Sequence, residues 1–354
     1  MSQPPPKRLV FAGEAIVDVL MWVPVLPERG GDMLAASSSL QVGGGFNIMA
    51  AAVRQGLPVV YAGGHGTGPW GDKVRAALAA EGIRLLRDPD PDADTGFDVA
   101  LVEDGGERTF VTSLGAEALR QPGAWDAIPV GAGDAVYVSG YGLVAPESGA
   151  ILGAWAAALP AEVLLFVDPG PLIADIPPAV LDPVLSRCDW WSSNQREAAL
   201  LTGASDPAEA ARLLIARTGR AGVIVRAGRS GCVLALRASG PGAAPTPDAA
   251  PGPGASPSPD PAPGPGAISP SLIPAPAVVA VDTTGAGDAH AGVFLAGLAA
   301  GLPPAAAASR ANAAAALVVT RAGPAESPSR AELDAFVATL DAFPASADRS
   351  RSTP

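Results

Sequence analysis

The sequence VDTTGAGDAHAGVFLAGLAAG, residues 281–301, combines a glycine-rich turn with a long apolar run. The pattern predicts a strand that ends at Asp282, a tight turn, and a helix that begins near Ala286. The first N–H groups of a helix have no partner within it, and the helix dipole puts positive charge at the same end. The segment therefore predicts a nest of backbone donors for an anion, with Asp288 in the first helical turn beside it.

Asp288 is the candidate catalytic residue of this turn. Beside a bound anion, its carboxylate can accept the proton of an attacking hydroxyl group. The backbone around the anion would come from Gly285, Ala286 and Gly287, and the two glycines let it approach without a Cβ in the way. A structural alternative exists, because an Asp in the first turn, preceded by Thr284, also stabilises a helix terminus with no ligand present.

Strand and helix patterns alternate over most of the remaining chain. Strand-like runs lie at residues 8–13, 59–64, 83–87, 135–140, 163–168, 190–193 and 223–228, and helix-like runs lie at 46–56, 71–82, 147–159, 178–186, 195–201 and 207–218. This order predicts an α/β fold of three layers, with a central, mostly parallel sheet that helices cover on both faces.

A small lid is predicted beside this sheet. Residues 95–112, TGFDVALVEDGGERTFVT, alternate apolar and polar side chains and turn at Asp104, Gly105 and Gly106, which is typical of a β-hairpin. Together with residues 33–42, this hairpin would form a separate sheet. A sheet of that kind beside a ligand cleft can close over the ligand.

The chain is predicted to be a single domain over residues 1–342. Residues 239–276 consist mainly of Pro, Gly, Ala and Ser without periodicity, which predicts a disordered surface insertion within that domain. Residues 343–354 are predicted to be a flexible tail.

The composition limits the partners of the chain. Its 35 acidic and 23 basic residues give a formal charge of −12, which argues against a nucleic-acid or membrane surface rich in Lys and Arg. The sequence has no apolar run long enough to span a bilayer. Cys188 and Cys232 lack partners at metal-ligand spacing, and two histidines are too few for a Ser-His-Asp or metal cluster. These features predict a cytoplasmic protein whose partner is a small molecule.

Four parts of the sequence, in this order, resemble the motifs of the ribokinase-like (PfkB-type) sugar and nucleoside kinases. They are GEAIVDV with VGGGFNIMAAAVRQG at 13–19 and 42–56, SSNQREAALLTG at 192–203, RAGRSG at 226–231, and the turn and helix at 281–301. The resemblance covers nearly the whole chain apart from the insertion, and it implies a ribokinase-like fold. It further implies phosphoryl transfer from ATP to a hydroxyl of a small sugar or nucleoside, with Asp288 as general base and residues 285–288 as the anion hole.

On the acceptor side, the resemblance implies that the acceptor contacts a carboxylate, a glycine backbone without side chains and an amide. Asp18 would accept hydrogen bonds from a vicinal diol, Asn47 would bond a further hydroxyl, and an aromatic ring in the lid could stack a base. The implied residues are Asp18, Gly43, Gly44, Gly45, Asn47 and Phe97. From the residues alone, Asp18 could instead end a strand and Asn47 could cap a helix.

On the nucleotide side, the resemblance implies an N-x-x-E motif for Mg²⁺ and the triphosphate, a nucleotide-binding turn and a contact to adenine. These residues are Asn194, Glu197, Arg226, Gly228, Gly231 and Asn312, with Asp282, Thr284 and the loop around Gly323 for potassium. Glu197 would reach Mg²⁺ through water, and Arg226 stands where the family commonly has a hydroxyl residue. As an alternative, Asn194 and Glu197 could only cap a helix.

Two other functions are compatible with the sequence. Gly66, Gly68 and Gly71 have the G-x-G-x-x-G spacing of a dinucleotide-binding turn between a strand and a helix, which would suit an NAD(P)-dependent oxidoreductase. Pro69 and Trp70, however, fill the turn where pyrophosphate would need open backbone. The same fold could also bind a sugar or nucleoside without turnover. The acceptor and the oligomeric state stay open, with a homodimer through the lid as one arrangement.

Overall fold

The computed structural model describes residues 4–105, 107–118, 123–218, 221–237, 270–321 and 327–342. The strands are β1 (Arg8–Ala12), β2 (Ala15–Val23), β3 (Ser37–Gly44), β4 (Val59–Tyr61), β5 (Arg84–Leu85), β6 (Phe97–Glu103), β7 (Arg108–Ser113), β8 (Asp134–Ser139), β9 (Leu164–Asp168), β10 (Trp190–Asn194), β11 (Gly222–Arg226), β12 (Cys232–Leu236) and β13 (Ser271–Ile273). The helices are α1 (Phe46–Arg54), α2 (Pro69–Ala80), α3 (Tyr141–Val144), α4 (Pro146–Ala157), α5 (Pro178–Arg187), α6 (Gln195–Thr202), α7 (Pro207–Thr218), α8 (Ala286–Ala299), α9 (Pro304–Val318) and α10 (Arg330–Ala342).

Within the described residues, nine strands form one large sheet in the order β13-β12-β11-β10-β9-β8-β1-β4-β5. The pairs from β11 to β5 are parallel, whereas β12 and β13 are added antiparallel at one edge. Alternate residues of β1 enter two separate apolar cores, with Leu9 and Phe11 in one and Val10 and Ala12 in the other. Because helices bury both faces of the sheet, the predicted three-layer α/β fold is confirmed.

A second sheet has the order β3-β2-β6-β7 and forms the lid. The predicted segments 33–42 and 95–112 contribute β3, β6 and β7, but the prediction missed β2, which lies between β3 and β6. The apolar pattern of β2 follows β1 almost without a break, so it does not show that the chain leaves one sheet for another. Asp18 of β2 lies opposite Gln41 of β3 and Asp98 of β6. The predicted acceptor-binding carboxylate therefore belongs to the lid.

The predicted insertion is too long at its C-terminal end. Residues 271–273 form β13, which pairs with β12 at the edge of the large sheet. A strand of only three residues among prolines has no detectable periodicity, which is why the sequence pattern did not reveal it. Residues 239–269 of the predicted insertion and the predicted tail at 343–354 lie outside the described residues.

The segment that opens at residue 281 differs from its prediction in one respect. The described residues before the turn contain no strand at Asp282; instead, Val281 N and Asp282 N both donate hydrogen bonds to the carbonyl oxygen of Val319 at the end of α9. The helix α8 does begin at Ala286, as predicted. It packs against α1 and α9, and a Cβ on Gly292 would lie 2.5 Å from the Ile48 carbonyl oxygen. The first turn of α1 therefore packs closely on α8, and Asn47 of α1 reaches Asp288 in the first turn of α8.

The two cysteines are buried and unpaired, as predicted. Burial raises the pKa of the Cys232 thiol to about 11, and it also raises the pKa of the Cys188 thiol. In the part of the chain that the structure describes, no helix combines the length and the apolar character needed to cross a bilayer. The cytoplasmic location stays a prediction.

Candidate active site

The turn before α8 has the geometry of an anion-binding site. Gly285 is the N-cap residue and has a φ of +74°, a left-handed conformation that glycine adopts without a steric penalty. No side chain from the described residues caps this helix. The N–H groups of Gly287 and Asp288 therefore stay available for an anion, whereas that of Ala286 makes a 3.4 Å hydrogen bond to the Thr283 carbonyl oxygen. The helix dipole favours negative charge at this end.

Asp288 lies beside these N–H groups and is oriented by a residue from another helix. Asn47 Nδ2 donates a hydrogen bond of 3.1 Å to Asp288 Oδ2. The loss of solvent around Asp288 raises the pKa of its carboxyl to about 6, although the Asn47 hydrogen bond opposes this shift. A carboxyl group with a pKa near the working pH is well suited to general base catalysis.

Asn47 does not cap α1, because the N-cap residue of that helix is Gly45. It is the second residue of the helix and its amide points to Asp288 rather than to its own backbone. The alternative that Asn47 only caps a helix is therefore wrong. The contact links the predicted acceptor side to the predicted catalytic turn.

Asp18 projects from β2 against bare backbone. A Cβ on Gly43 would lie 1.9 Å from Asp18 Oδ2, so this glycine is required by the carboxylate itself. Asp18 Oδ1 is buried without a hydrogen-bond partner in the described part of the chain. Loss of solvent and the nearby Asp98 and Asp288 raise the pKa of Asp18 to about 7. Asp18 thus lies in the middle of β2, and the alternative that it ends a strand is wrong.

The other two glycines of this run have different roles. A Cβ on Gly45 would lie 2.0 Å from the ring of Phe11, which means that Gly45 is required by core packing and not by a sugar. Gly44 has a φ of +58° and is exposed at the end of β3. Of the three glycines, Gly43 is the one that the structure places against the Asp18 carboxylate.

Phe97 does not face the predicted acceptor site. It pairs with Val17 in register, one residue before the Asp18 and Asp98 pair, and therefore projects from the opposite face of the lid. Its ring lies 5.7 Å from that of Trp70 and packs against the main apolar core. The prediction that Phe97 stacks a base is corrected: strand alternation directs its ring into the core.

Arg226 lies at the end of β11 next to the catalytic turn. Its Nη1 atom is 2.6 Å from Asp168 Oδ2 and 2.6 Å from Ser192 Oγ, and its Nη2 atom is 3.6 Å from Glu197 Oε2. A Cβ on Gly287 would lie 3.6 Å from the Arg226 guanidinium carbon. The structure thus places a cation beside the anion-binding turn.

Asn194 and Glu197 form a capping box at the start of α6. Asn194 Oδ1 accepts a hydrogen bond from Glu197 N, and the Glu197 carboxylate accepts from both the backbone and the side-chain nitrogen of Asn194. The alternative that Asn194 and Glu197 cap a helix is therefore observed. Each carboxylate oxygen can accept more than one hydrogen bond, so Glu197 can still accept from the water shell of an ion.

The predicted nucleotide turn lies against the edge strand β13. Gly228 and Gly231 both have positive φ, and a Cβ on Gly231 would lie 2.1 Å from the Ile273 carbonyl oxygen. Asn312 Nδ2 donates to the carbonyl oxygens of Ile273 and Pro274. The Asn312 side chain thus holds the 273–274 segment through its Nδ2 atom, and its contact to adenine stays a prediction.

Asp282 and Thr284, predicted to ligate potassium, lie in the loop before α8. Asp282 Oδ1 accepts hydrogen bonds from Thr284 N at 2.8 Å and from Arg108 Nη2 of the lid at 2.5 Å. Thr284 Oγ1 is buried without a partner among the described residues. The loop around Gly323 lies outside the described residues.

The sequence analysis missed three charged residues of the cleft. Asp98 and Arg108 belong to the predicted hairpin, and Asp168 ends the buried strand β9. Asp98 was detectable because it is a charged residue within a strand whose apolar residues alternate into a core. A carboxylate at the C-terminal end of a parallel strand was the corresponding signal for Asp168.

The G-x-G-x-x-G turn does not have room for a dinucleotide. The Asp94 carboxylate already accepts hydrogen bonds from Trp70 N at 3.0 Å and Gly71 N at 2.8 Å, at the N-terminus of α2. A Cβ on Gly68 would lie 2.4 Å from the same carboxylate. A carboxylate of the chain occupies the place of the pyrophosphate, so the structure does not support the oxidoreductase alternative.

The nine-stranded sheet, the β lid and the uncapped N-terminus of α8 beside Asp288 define a protein of the ribokinase-like α/β class. The sequence pattern of the pfkB family carbohydrate kinases matches residues 6–249 and 270–331. The chain belongs to the pfkB family of carbohydrate kinases. The resemblance seen in the motifs is thereby confirmed, and the unmatched residues 250–269 fall within the predicted insertion.

Two relatives are sugar kinases by name, and a solved structure shares the fold. The chain is 34% identical over 336 residues to the uncharacterized sugar kinase YegV of Escherichia coli K12, covering 92% of this chain and 93% of the relative. It is 29% identical over 308 residues to a fructokinase of Klebsiella pneumoniae, covering 84% and 86%. The solved ribokinase of Arabidopsis thaliana, in complex with ribose and ATP, superimposes with a TM-score of 0.70 at 21% identity, covering 94% of this chain and 99% of that one.

Proposed function

We propose that the protein transfers the γ-phosphoryl group of ATP to a hydroxyl group of a small sugar or nucleoside, with Asp288 as general base. The observation that supports this most directly is the hydrogen bond between Asn47 and Asp288 at the uncapped N-terminus of α8. It joins an acceptor-side residue, a candidate base and an anion-binding turn in one place. The ribose and ATP bound to the Arabidopsis ribokinase support the same pair of substrates.

In the proposed reaction, the protein contributes proton transfer and charge stabilisation and forms no covalent bond to a substrate. Asp288 accepts the proton of the acceptor hydroxyl group while that oxygen forms a bond to the γ-phosphorus and the bond from this phosphorus to the β,γ-bridging oxygen breaks. The N–H groups of Gly287 and Asp288 stabilise the negative charge of the phosphoryl group in transfer, and that of Ala286 can join them by giving up its 3.4 Å hydrogen bond to the Thr283 carbonyl oxygen. The products are ADP, the phosphorylated acceptor and a protonated Asp288, which then releases its proton to solvent.

Mg²⁺ is proposed to enter with the nucleotide. Asp168 and Glu197, which both form ion pairs with Arg226, offer carboxylate oxygens. Carboxylate oxygens and water are the ligands that Mg²⁺ prefers. When bound, Mg²⁺ neutralises phosphate charge. Because the Glu197 carboxylate already accepts two hydrogen bonds from Asn194, it would act on the ion through water.

ADP release with a panel of sugars and nucleosides tests the proposed function. One or more of these acceptors should stimulate ADP release that depends on both the acceptor and Mg²⁺. Ligand binding without any ADP release would instead support a non-catalytic binding protein. Failure of every acceptor in the panel to stimulate ADP release or to bind would contradict the proposal.

Potassium is expected to raise turnover relative to sodium, because the buried Thr284 Oγ1 has no hydrogen-bond partner among the described residues and can ligate a monovalent cation. The effect should be modest, since Arg108 already supplies positive charge to Asp282. Rates of ADP release in potassium and sodium buffers of equal ionic strength measure it, with choline as the inert control. Equal rates in all three buffers would remove potassium from the proposal.

A homodimer through the lid is also proposed. Leu40, Val19, Val99 and Val111 form one cross-strand row on the lid face opposite Asp18, and Leu40 and Val111 are 48% and 69% exposed. Two such rows can pack face to face and bury each other. Light scattering should give the mass of a dimer for the parent and of a monomer for Val111→Lys. A monomeric parent would exclude this arrangement.

A further inference from the structure

Asp98 is a buried carboxylate that was not among the predicted acceptor-binding residues. It lies in β6 directly opposite Asp18 of β2, so both side chains project from the same face of the lid. Neighbouring strands are about 4.8 Å apart, which places the two carboxyl groups side by side. Asp98 is 7% exposed, and one oxygen of each carboxyl group is buried without a hydrogen-bond partner in the described part of the chain.

The stability of the fold does not explain this pair. Like charges directly opposite in a sheet destabilise it, and a buried polar group without a partner costs further free energy. Arg108 and Arg226, which flank the cleft, are bonded to Asp282 and Asp168 instead. Loss of solvent raises the pKa of Asp98 to about 6 and that of Asp18 to about 7, so at neutral pH Asp98 is mainly ionised and Asp18 is partly ionised. A ligand that binds between the lid and α8 would relieve this cost.

A third buried acceptor supports the same conclusion. Asn47 is 6% exposed, its Nδ2 atom donates to Asp288, and its Oδ1 atom has no partner among the described residues. These oxygens of Asp18, Asp98 and Asn47 all accept hydrogen bonds, and one buried donor of the lid, Arg108 Nε, also has no partner among the described residues. An acceptor that satisfies these oxygens must bring donors, and negative charge on the acceptor beside Asp18 and Asp98 is repelled.

We infer that Asp98 determines specificity by binding hydroxyl groups of the acceptor beyond those bound by Asp18, and that the acceptor is an uncharged, hydroxyl-rich sugar or sugar alcohol. The inference rests on the proposed kinase function. A nucleoside presents one diol and one further ribose hydroxyl, which Asp18 and the reaction would use, so none remains for Asp98. A free sugar keeps additional hydroxyl groups. A sugar acid or sugar phosphate would place an anion against two carboxylates.

Asp98→Ala and Asp98→Asn test this inference in the full-length protein. A hydrogen bond to a charged group contributes about 1.5–3 kcal/mol, so Asp98→Ala should raise the KM of the best uncharged acceptor about 10- to 150-fold with the KM for ATP unchanged. The isosteric Asp98→Asn should also reduce the preference for the sugar over the corresponding sugar acid. Asp104→Asn is the matched control, because Asp104 is an exposed carboxylate in the turn of the same hairpin. This control should behave as the parent.

Calorimetric binding of the same sugars without ATP separates this inference from the kinase function. Weaker binding to both Asp98 variants, without ADP release from any protein, would overturn the kinase function and support the role of Asp98. Unchanged acceptor KM and affinity in both variants would overturn the inference, as would a parent enzyme that prefers a nucleoside, a sugar acid or a sugar phosphate. If Asp98→Ala does not fold, the isosteric Asp98→Asn decides the outcome.

Discussion

Asp288→Asn is expected to lower kcat about 10²- to 10⁴-fold, the usual contribution of a positioned general base. The amide has nearly the shape of the carboxylate but cannot take the proton of the acceptor hydroxyl group. The backbone donors of the turn remain in place, so the affinity for ATP should stay close to that of the parent. Steady-state ADP release gives kcat, and calorimetry gives the affinity for the nucleotide.

The pH dependence of kcat is the second test of Asp288. Only the ionised carboxylate accepts a proton, and loss of solvent raises the pKa of Asp288 to about 6. In the parent, kcat should therefore fall as the pH drops through about 6 and reach a plateau above it. The Asp288→Asn variant should lack this dependence, because it has no carboxylate at this position to titrate.

A matched control distinguishes catalysis from helix capping. Asp72 also lies in the first turn of a helix, α2, and its side chain is 72% exposed. Asp72→Asn should leave kcat unchanged. A near-normal kcat for Asp288→Asn would exclude Asp288 as the base. A melting temperature lowered far more by Asp288→Asn than by Asp72→Asn would point to a structural role.

Asp18→Ala is expected to raise the KM of the acceptor about 10- to 150-fold, since a hydrogen bond to a charged group contributes about 1.5–3 kcal/mol. The KM for ATP should change little, because Asp18 lies in the lid and the predicted nucleotide residues lie in the large sheet and its helices. Initial rates with each substrate varied in turn measure both constants.

Asp32→Ala serves as the control for Asp18→Ala, because Asp32 is an exposed carboxylate in the segment before β3. An unaltered acceptor KM in Asp18→Ala would show that the acceptor binds elsewhere. Since Asp18 and Asp98 are neighbours in register, their effects should not be additive. The double variant should therefore lose less than the product of the two single losses.

Local patterns of the sequence were sufficient for the main architecture. The alternation of strand and helix patterns predicted the parallel sheet, and the turn at Asp104-Gly105-Gly106 predicted the hairpin of β6 and β7. Glycine and apolar residues around Ala286 predicted the start of α8. These features depend on residues that are close in sequence, so their periodicity and turn chemistry can be read directly.

Contacts between distant segments could not be predicted in the same way. The strand β13 pairs with β12 across the predicted insertion, and Arg108 of the lid bonds to Asp282. Phe97 faces the core because of its register with Val17. In each case the partner is far away in sequence, and a shift of one residue in register would reverse the face on which a side chain projects.

By itself, the sequence determined the class of fold, through the alternation of strand and helix patterns along the chain. It also determined the candidate anion-binding turn before α8 and Asp288 as a candidate base, because both follow from patterns within about twenty residues. Only the tertiary structure decided which groups meet at that turn. The close packing of α1 on α8 brings Asn47 to Asp288, and the register of β2 and β6 brings Asp98 to Asp18. Such neighbours depend on packing and strand register between segments that no local pattern connects.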